Sequence, residues 1–90
     1  MRKIVYERQF KKEFRKLQRT GRNLARFREA LECLQGDIAL PEHYREHQLH
    51  GNWAGFYECH LGGDLLLIYR LTEEEIMLVR IGSHNQLFNK

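Results

Sequence analysis

Apolar positions along the chain change their spacing several times, and each change marks a new element. Lys3 to Tyr6 (KIVY) is β-branched and aromatic, which predicts a short first strand. From Glu7 onward Phe10, Phe14 and Leu17 fall at i, i+4 and i+7 with Lys and Arg on the other faces, an amphipathic helix that ends at Thr20-Gly21. Leu24, Phe27, Leu31 and Leu34 repeat at i, i+3, i+7 and i+10, predicting a second helix that stops near Gly36. Asp37 to Leu49 holds the one proline, Pro41, and no sustained period, so it reads as a long irregular connection. After Gly51-Asn52 strand signals return. Phe56, Glu58 and His60 share one face of a strand, with Tyr57, Cys59 and Leu61 on the other. Gly62-Gly63 marks a tight turn, and LLLIYRL after Asp64 is apolar on both faces, as expected of a covered central strand. Thr72 to Glu75 is a polar turn and Ile76 to Ile81 a last strand. The order β-α-α-β-β-β with hairpin-length links predicts an α+β fold. In it an N-terminal strand and an α-helical hairpin pack on an antiparallel β-sheet, with the helices on one face.

Ninety residues suffice for one core and not two, so residues 1–90 are expected to form a single domain. MRKIVYERQF turns charged before any apolar core region forms, and Leu65 to Tyr69, the longest apolar run, is too short to cross a bilayer. The expectation is a cytoplasmic protein with no membrane partner. Cys33 and Cys59 lie far apart without a C-x-x-C spacing, which predicts buried free thiols. Charge is distributed unevenly. Residues 1–28 carry eleven Lys or Arg against Glu7 and Glu13, a net +9; with +3 overall, the remainder carries −6. A basic pair of helices suits a surface that tracks phosphates, although a merely solvated helix face would show the same run.

A plain sheet-plus-helices protein has no need of His47, His50, Trp53, His60, Asp64, Arg80 and His84. In an antiparallel meander the end of one strand, the start of the next and the end of the one after share an edge. His60, Asp64 and His84 should therefore converge, with the His-bearing connection folded over them. A metal site is one use of such a set, through His43-x-x-x-His47 or His47-x-x-His50 with Asp64 as third ligand, but the segment does not look helical and no cysteine pair supports it. Acyl chemistry from Ser83 is disfavoured because a serine adjacent to His84 in sequence is poorly placed for a dyad. Metal-free RNA cleavage is the third. A base takes the ribose 2′-OH proton, an acid protonates the leaving 5′-oxygen, and a cation offsets the charge growing on phosphorus. Each residue also has a structural reading. His43 and His50 would brace the loop, His60 would be a satisfied strand histidine, Arg80 would pair with Glu58, and Trp53 would be a core anchor or lid.

HQLHGNWAGFYECHLGGDLLLIYR followed by LVRIGSHNQLF resembles the YafQ-type toxins of bacterial type II toxin–antitoxin systems, within the RelE superfamily. The pattern is D/E-H-x-L-x-G-x-W-x-G-x-x-E/D-x-H-x-x-x-D-x-x-L-I-Y and then R-x-G-[ST]-H-x-x-L-F, matched from Glu46 to Phe88. The resemblance implies a RelE-like fold and a ribosome-dependent mRNA endoribonuclease without cofactor or metal. It implies a cognate antitoxin as partner, and operator DNA as a partner only through that antitoxin. The matching positions assign His47, His60, Asp64, Arg80 and His84 to catalysis. His84 would be the general acid and Arg80 would steady the phosphate, while His47, His60 and Asp64 share base or orienting roles. Phe88 would contact the base, and Lys11, Lys12, Arg15 and Lys16 the RNA backbone. The alternative is a non-catalytic RelE-like subunit that binds a partner or RNA. One position departs from the pattern: some members carry an aromatic after the aspartate, where this chain has Leu65.

Overall fold

A computed structural model describes residues 1–88; residues 89 and 90, the last two of the expected domain, lie outside the described residues. The chain begins with β1 (Lys3–Tyr6) and the two amphipathic helices, α1 (Arg8–Arg19) and α2 (Ala25–Gln35). The predicted irregular connection follows, but it is not structureless. It contains a 3₁₀ turn at Glu42–Tyr44, a two-residue strand β2 (His47–Gln48) and a second 3₁₀ turn at Gly51–Trp53. β3 (Tyr57–His60), β4 (Leu65–Leu71) and β5 (Glu75–Ser83) form the meander, and a short helix α3 (His84–Phe88) closes the described chain. Among the described residues no helix is long and apolar enough to cross a membrane.

The five strands form one sheet in the order β1-β5-β4-β3-β2. The meander is antiparallel as expected, and β1 joins the same sheet as an edge strand parallel to β5, from Lys3 beside Glu75 to Tyr6 beside Leu78. In that place β1 closes an edge of β5 that would otherwise present unpaired backbone groups, and it adds Ile4 to the core.

Both helices cover the same face. Phe10, Phe27, Ala30 and Leu34 pack with Cys59, Leu65, Leu67, Tyr69, Ile76, Leu78 and Ile81 in one buried cluster. The predicted alternation in β3 holds, with Cys59 and Leu61 buried toward the helices and Phe56 on the opposite side beside Leu66, Ile68 and Leu87. In β5 the alternation breaks. The register shifts between the pairs Ile68–Arg80 and Tyr69–Leu78, leaving Val79 as an extra residue. This bulge is why Leu78 and Ile81, three positions apart, both reach the helix-side core, and it re-aims Arg80, the residue before Ile81. Of the two cysteines, Cys59 is buried and Cys33 half-buried, and both are free thiols.

Candidate active site

His47 is positioned by the residues on either side of it. The 3₁₀ turn ends at Arg45, whose left-handed backbone (φ 51°) turns the chain into β2. Glu46 then accepts a hydrogen bond from the hydroxyl of Tyr69, a fully buried residue of β4. Burial holds that hydroxyl well above its usual pKa, so it stays a donor and pins the start of β2 to the core. In the ladder His47 stands opposite Glu58 of β3. The imidazole is gripped at both nitrogens: Nδ1 lies 2.9 Å from the Arg45 carbonyl and Nε2 lies 3.1 Å from Glu58 Oε1. Both contacts are hydrogen bonds only when the ring carries both protons. His60 Nε2 lies 3.9 Å from the same Glu58 oxygen, and the two imidazole centroids are 6.2 Å apart. Glu58, with 6% of its surface exposed, is the buried charged residue among those described. Sequence reading left it out of the site, although it occupies the E/D position of the motif and alternates onto the face of His60.

Across the sheet the register runs His60–Leu66–Gly82, so the ends of β3 and β5 flank β4 at one level. Two strand spacings separate them, roughly 10 Å. Here the chain turns into α3. Ser83 Oγ accepts the Gln86 N–H at 3.2 Å while Gln86 Oε1 accepts the Ser83 N–H at 2.8 Å, a capping box. Ser83 is thus a helix cap, and the S-x-x-Q spacing was the signal for a helix that periodicity missed. A Cβ at Gly82 would stand 2.8 Å from Gln86 Oε1, so a larger residue there would push the capping side chain aside. His84, exposed at the first turn of α3, has its ring 4.9 Å from that of Phe88. Phe88 in turn meets Trp53 edge-on at 6.0 Å, and Trp53 meets Phe56 at 5.3 Å. Trp53 is therefore an anchor of this smaller cluster, half-buried, with one side to solvent.

Arg80 does not pair with Glu58. Its Nε lies 3.1 and 2.9 Å from the two carboxylate oxygens of Glu13 on α1, and its Nη2 lies 2.6 Å from one of them. β1 has ended by this level, so α1 passes along the free edge of β5, where Glu13 also accepts the Ile81 N–H at 3.0 Å. Asp64 shares the rim with His60 and His84, in the turn of Gly62 and Gly63, which both hold positive φ. Its ionic neighbour is nonetheless Arg22, at 3.9 Å, and its side chain is 73% exposed. The expected convergence is therefore one of strand ends, with Asp64 outside the imidazole cluster. Leu65, at the position where an aromatic was missing, is buried in the helix-side core and unavailable to a ligand. His43 lies against Tyr44 and His50 precedes the second 3₁₀ turn, both exposed.

Lys11, Lys12, Arg15 and Lys16 are exposed on α1. A shallow groove lined by Lys12, Arg15, Lys16 and Arg19 shares Gln9, Glu13 and Lys16 with a second groove of about 650 Å³ that reaches Arg80, Gly82 and Gln86. The basic helix thus leads to the end of β5. The donor set able to hold a metal is different from the one weighed in the sequence. One atom each of His47, Glu58 and His60 lie within 4.8 Å of one another. Two imidazoles and a carboxylate suit borderline transition-metal ions such as copper or zinc.

Comparison with known proteins places this geometry. Residues 2–89 match the family described as bacterial toxin of type II toxin–antitoxin system, YafQ. The mRNA interferase toxin YafQ of Escherichia coli strain K12 is 31% identical over 88 residues, covering 97% of this chain and 96% of that protein. A copper-bound mutant toxin from Helicobacter pylori superposes with a TM-score of 0.93 at 34% identity, over 98% of this chain and 100% of that one. YafQ in the E. coli DinJ–YafQ toxin–antitoxin complex superposes with a TM-score of 0.88 at 31% identity, over 97% of each chain. With the motif from Glu46 to Phe88 and the five-stranded sheet that carries it, these matches establish that the chain belongs to the YafQ family of bacterial type II toxins.

Proposed function

We propose that this chain is an endoribonuclease that cuts mRNA on the ribosome by acid–base chemistry of its own side chains, and that a cognate antitoxin restrains it. Support comes from relatives described as mRNA interferase toxin YafQ and as a toxin–antitoxin complex. The observation that carries the mechanism is the division of ionisable groups at one end of the sheet. His47, Glu58 and His60 stand on the β3 side, and His84 with Phe88 stands beyond β5. In this reading the scissile phosphodiester lies between these two groups.

In this reading His60, the freer imidazole, takes the proton of the ribose 2′-OH, and the buried carboxylate of Glu58 stabilises the imidazolium formed. His47, held at both nitrogens, fixes that carboxylate. The 2′-oxygen attacks phosphorus to give a 2′,3′-cyclic phosphate, and His84 protonates the departing 5′-oxygen. Arg80 offsets the charge growing on the phosphoryl oxygens, Phe88 presents a ring to a base, and Asp64 receives ribose hydroxyls at the rim. Lys11, Lys12, Arg15 and Lys16 hold the backbone of messenger or ribosomal RNA. A divalent ion on His47, Glu58 and His60 would supply Lewis-acid charge there; the proton transfers above run through the chain's own groups.

Replacing His84 with Ala tests the reading. Cleavage of ribosome-bound mRNA should fall by about 10²–10⁴, with the circular dichroism spectrum and antitoxin binding unchanged. A variant as active as the parent removes His84 as the acid. A parent protein that binds RNA without cutting it makes the chain a non-catalytic subunit.

A further inference from the structure

The guanidinium of Arg80 is held from one edge only. Nε and Nη2 face Glu13, whereas Nη1 makes no hydrogen bond to another of the described residues. Glu13 is itself tied down, because its Oε1 accepts the Ile81 N–H at 3.0 Å. The carboxylate therefore locks the arginine to the strand that carries it, and the pair is largely covered, with side chains 22% and 15% exposed. Beside it runs the groove that Lys16 lines. On that surface Glu13 is an electrostatic defect: an acid among Lys12, Arg15, Lys16 and Arg19, where a polyanion is to bind. For charge alone, a neutral residue at this place would serve RNA better.

We propose that Glu13 is a positioning residue for cleavage. By occupying Nε and Nη2 it sets Arg80 so that the Nη1 edge meets the phosphate whose charge grows during attack. The inference rests on reading Arg80 as the phosphate ligand, and it makes a signed forecast that charge counting reverses. Removing the acid from a basic face should leave RNA binding equal or tighter. It should nonetheless slow the chemical step, because the arginine loses its orientation.

The test is single-turnover cleavage of ribosome-bound mRNA, with RNA affinity measured alongside, for Glu13→Gln, Arg80→Ala and the double variant. The glutamine oxygen still accepts the Ile81 N–H, so the edge of β5 stays capped. Arg80→Ala should lose about 10²–10³ in rate, as for removal of one transition-state donor. Glu13→Gln should lose about 10–10² with affinity kept or raised. The double variant should match Arg80→Ala, since an acid that acts through the arginine has nothing left to do without it. Arg80→Lys gives a second measure on an intact fold: lysine keeps the charge but not the planar fork, and its rate should drop toward that of Arg80→Ala. Glu13→Gln cleaving as fast as the parent or faster overturns the inference, as does a double variant that multiplies the two losses or a fully active Arg80→Lys. If Arg80→Ala itself cleaves normally, the phosphate role of Arg80 fails instead.

Discussion

On the helix side of the sheet, Phe10, Phe27, Ala30 and Leu34 close over Cys59, Leu67, Tyr69, Ile76 and Leu78. On the other side the buried apolar residues among those described are Leu66, Ile68 and Leu87, and Trp53, Phe56, Val79 and Phe88 stay partly open to solvent. The ionisable cluster of His47, Glu58 and His60 alternates onto this second face. The contrast separates stability from chemistry. A face sealed by two helices supplies the apolar burial that holds ninety residues together, and its partner is left thin enough for a ligand to reach the sheet. The buried carboxylate on the thin face has ionic partners, with Glu58 Oε1 3.1 Å from His47 Nε2 and 3.9 Å from His60 Nε2. An unpaired carboxylate at that depth would cost several kcal/mol.

Substitutions on the two faces should therefore differ in kind. Phe10→Ala removes a side chain that is 1% exposed and should destabilise the fold by about 3–5 kcal/mol in urea titrations, with cleavage per folded molecule unchanged. Phe88→Ala should do the reverse, costing about 1–3 kcal/mol of RNA binding through lost base stacking and little in urea. Equal effects of the two on stability would erase the distinction between the faces. Neutralising Lys11, Lys12, Arg15 and Lys16 together acts on neither face. It should flatten the dependence of log affinity for RNA on log salt by up to about 3, and an unchanged slope would remove their role.

The smallest effect is a property of the sealed side. Burial, with Glu46 and Glu58 nearby, pushes the Cys59 thiol up to about 12 from an ordinary value of 9.0. The native thiol should resist iodoacetamide at pH 8 and react only on unfolding, while half-buried Cys33 reacts in the native state. Because the folded-state value is the higher one, the unfolded chain loses this proton first. The stabilising contribution is complete below pH 9 and is lost as pH climbs toward 12. Denaturant midpoints that do not fall over that range would contradict the burial.

Elements with a sustained period were legible in the chain. The stripe of Phe10, Phe14 and Leu17, the stripe of Phe27, Leu31 and Leu34, and the alternation around Cys59 each appear at the expected places. Short elements were not legible, because two residues of β2 and five of α3 are too few to show a period. Their signals were chemical: a Glu-His pair answered by a tyrosine twenty-three positions away, and a capping box at Ser83 and Gln86. The site shows the same split. The motif named His47, His60, Arg80 and His84, but not that Glu58 would join the two imidazoles or that Glu13 would hold the arginine.

Residue order alone determined the helix stripes, the faces of β3, the basic N-terminal third and the motif, since each depends only on spacing along the chain. Tertiary structure decided the partners. Strict alternation from Leu78 would have sent Arg80 into the helix-side core; the bulge at Val79 diverts it, and α1, passing the edge that β1 leaves open, brings Glu13 to it from sixty-seven positions away. A charge finds its counter-ion through packing geometry, and no local pattern encodes which distant carboxylate that will be.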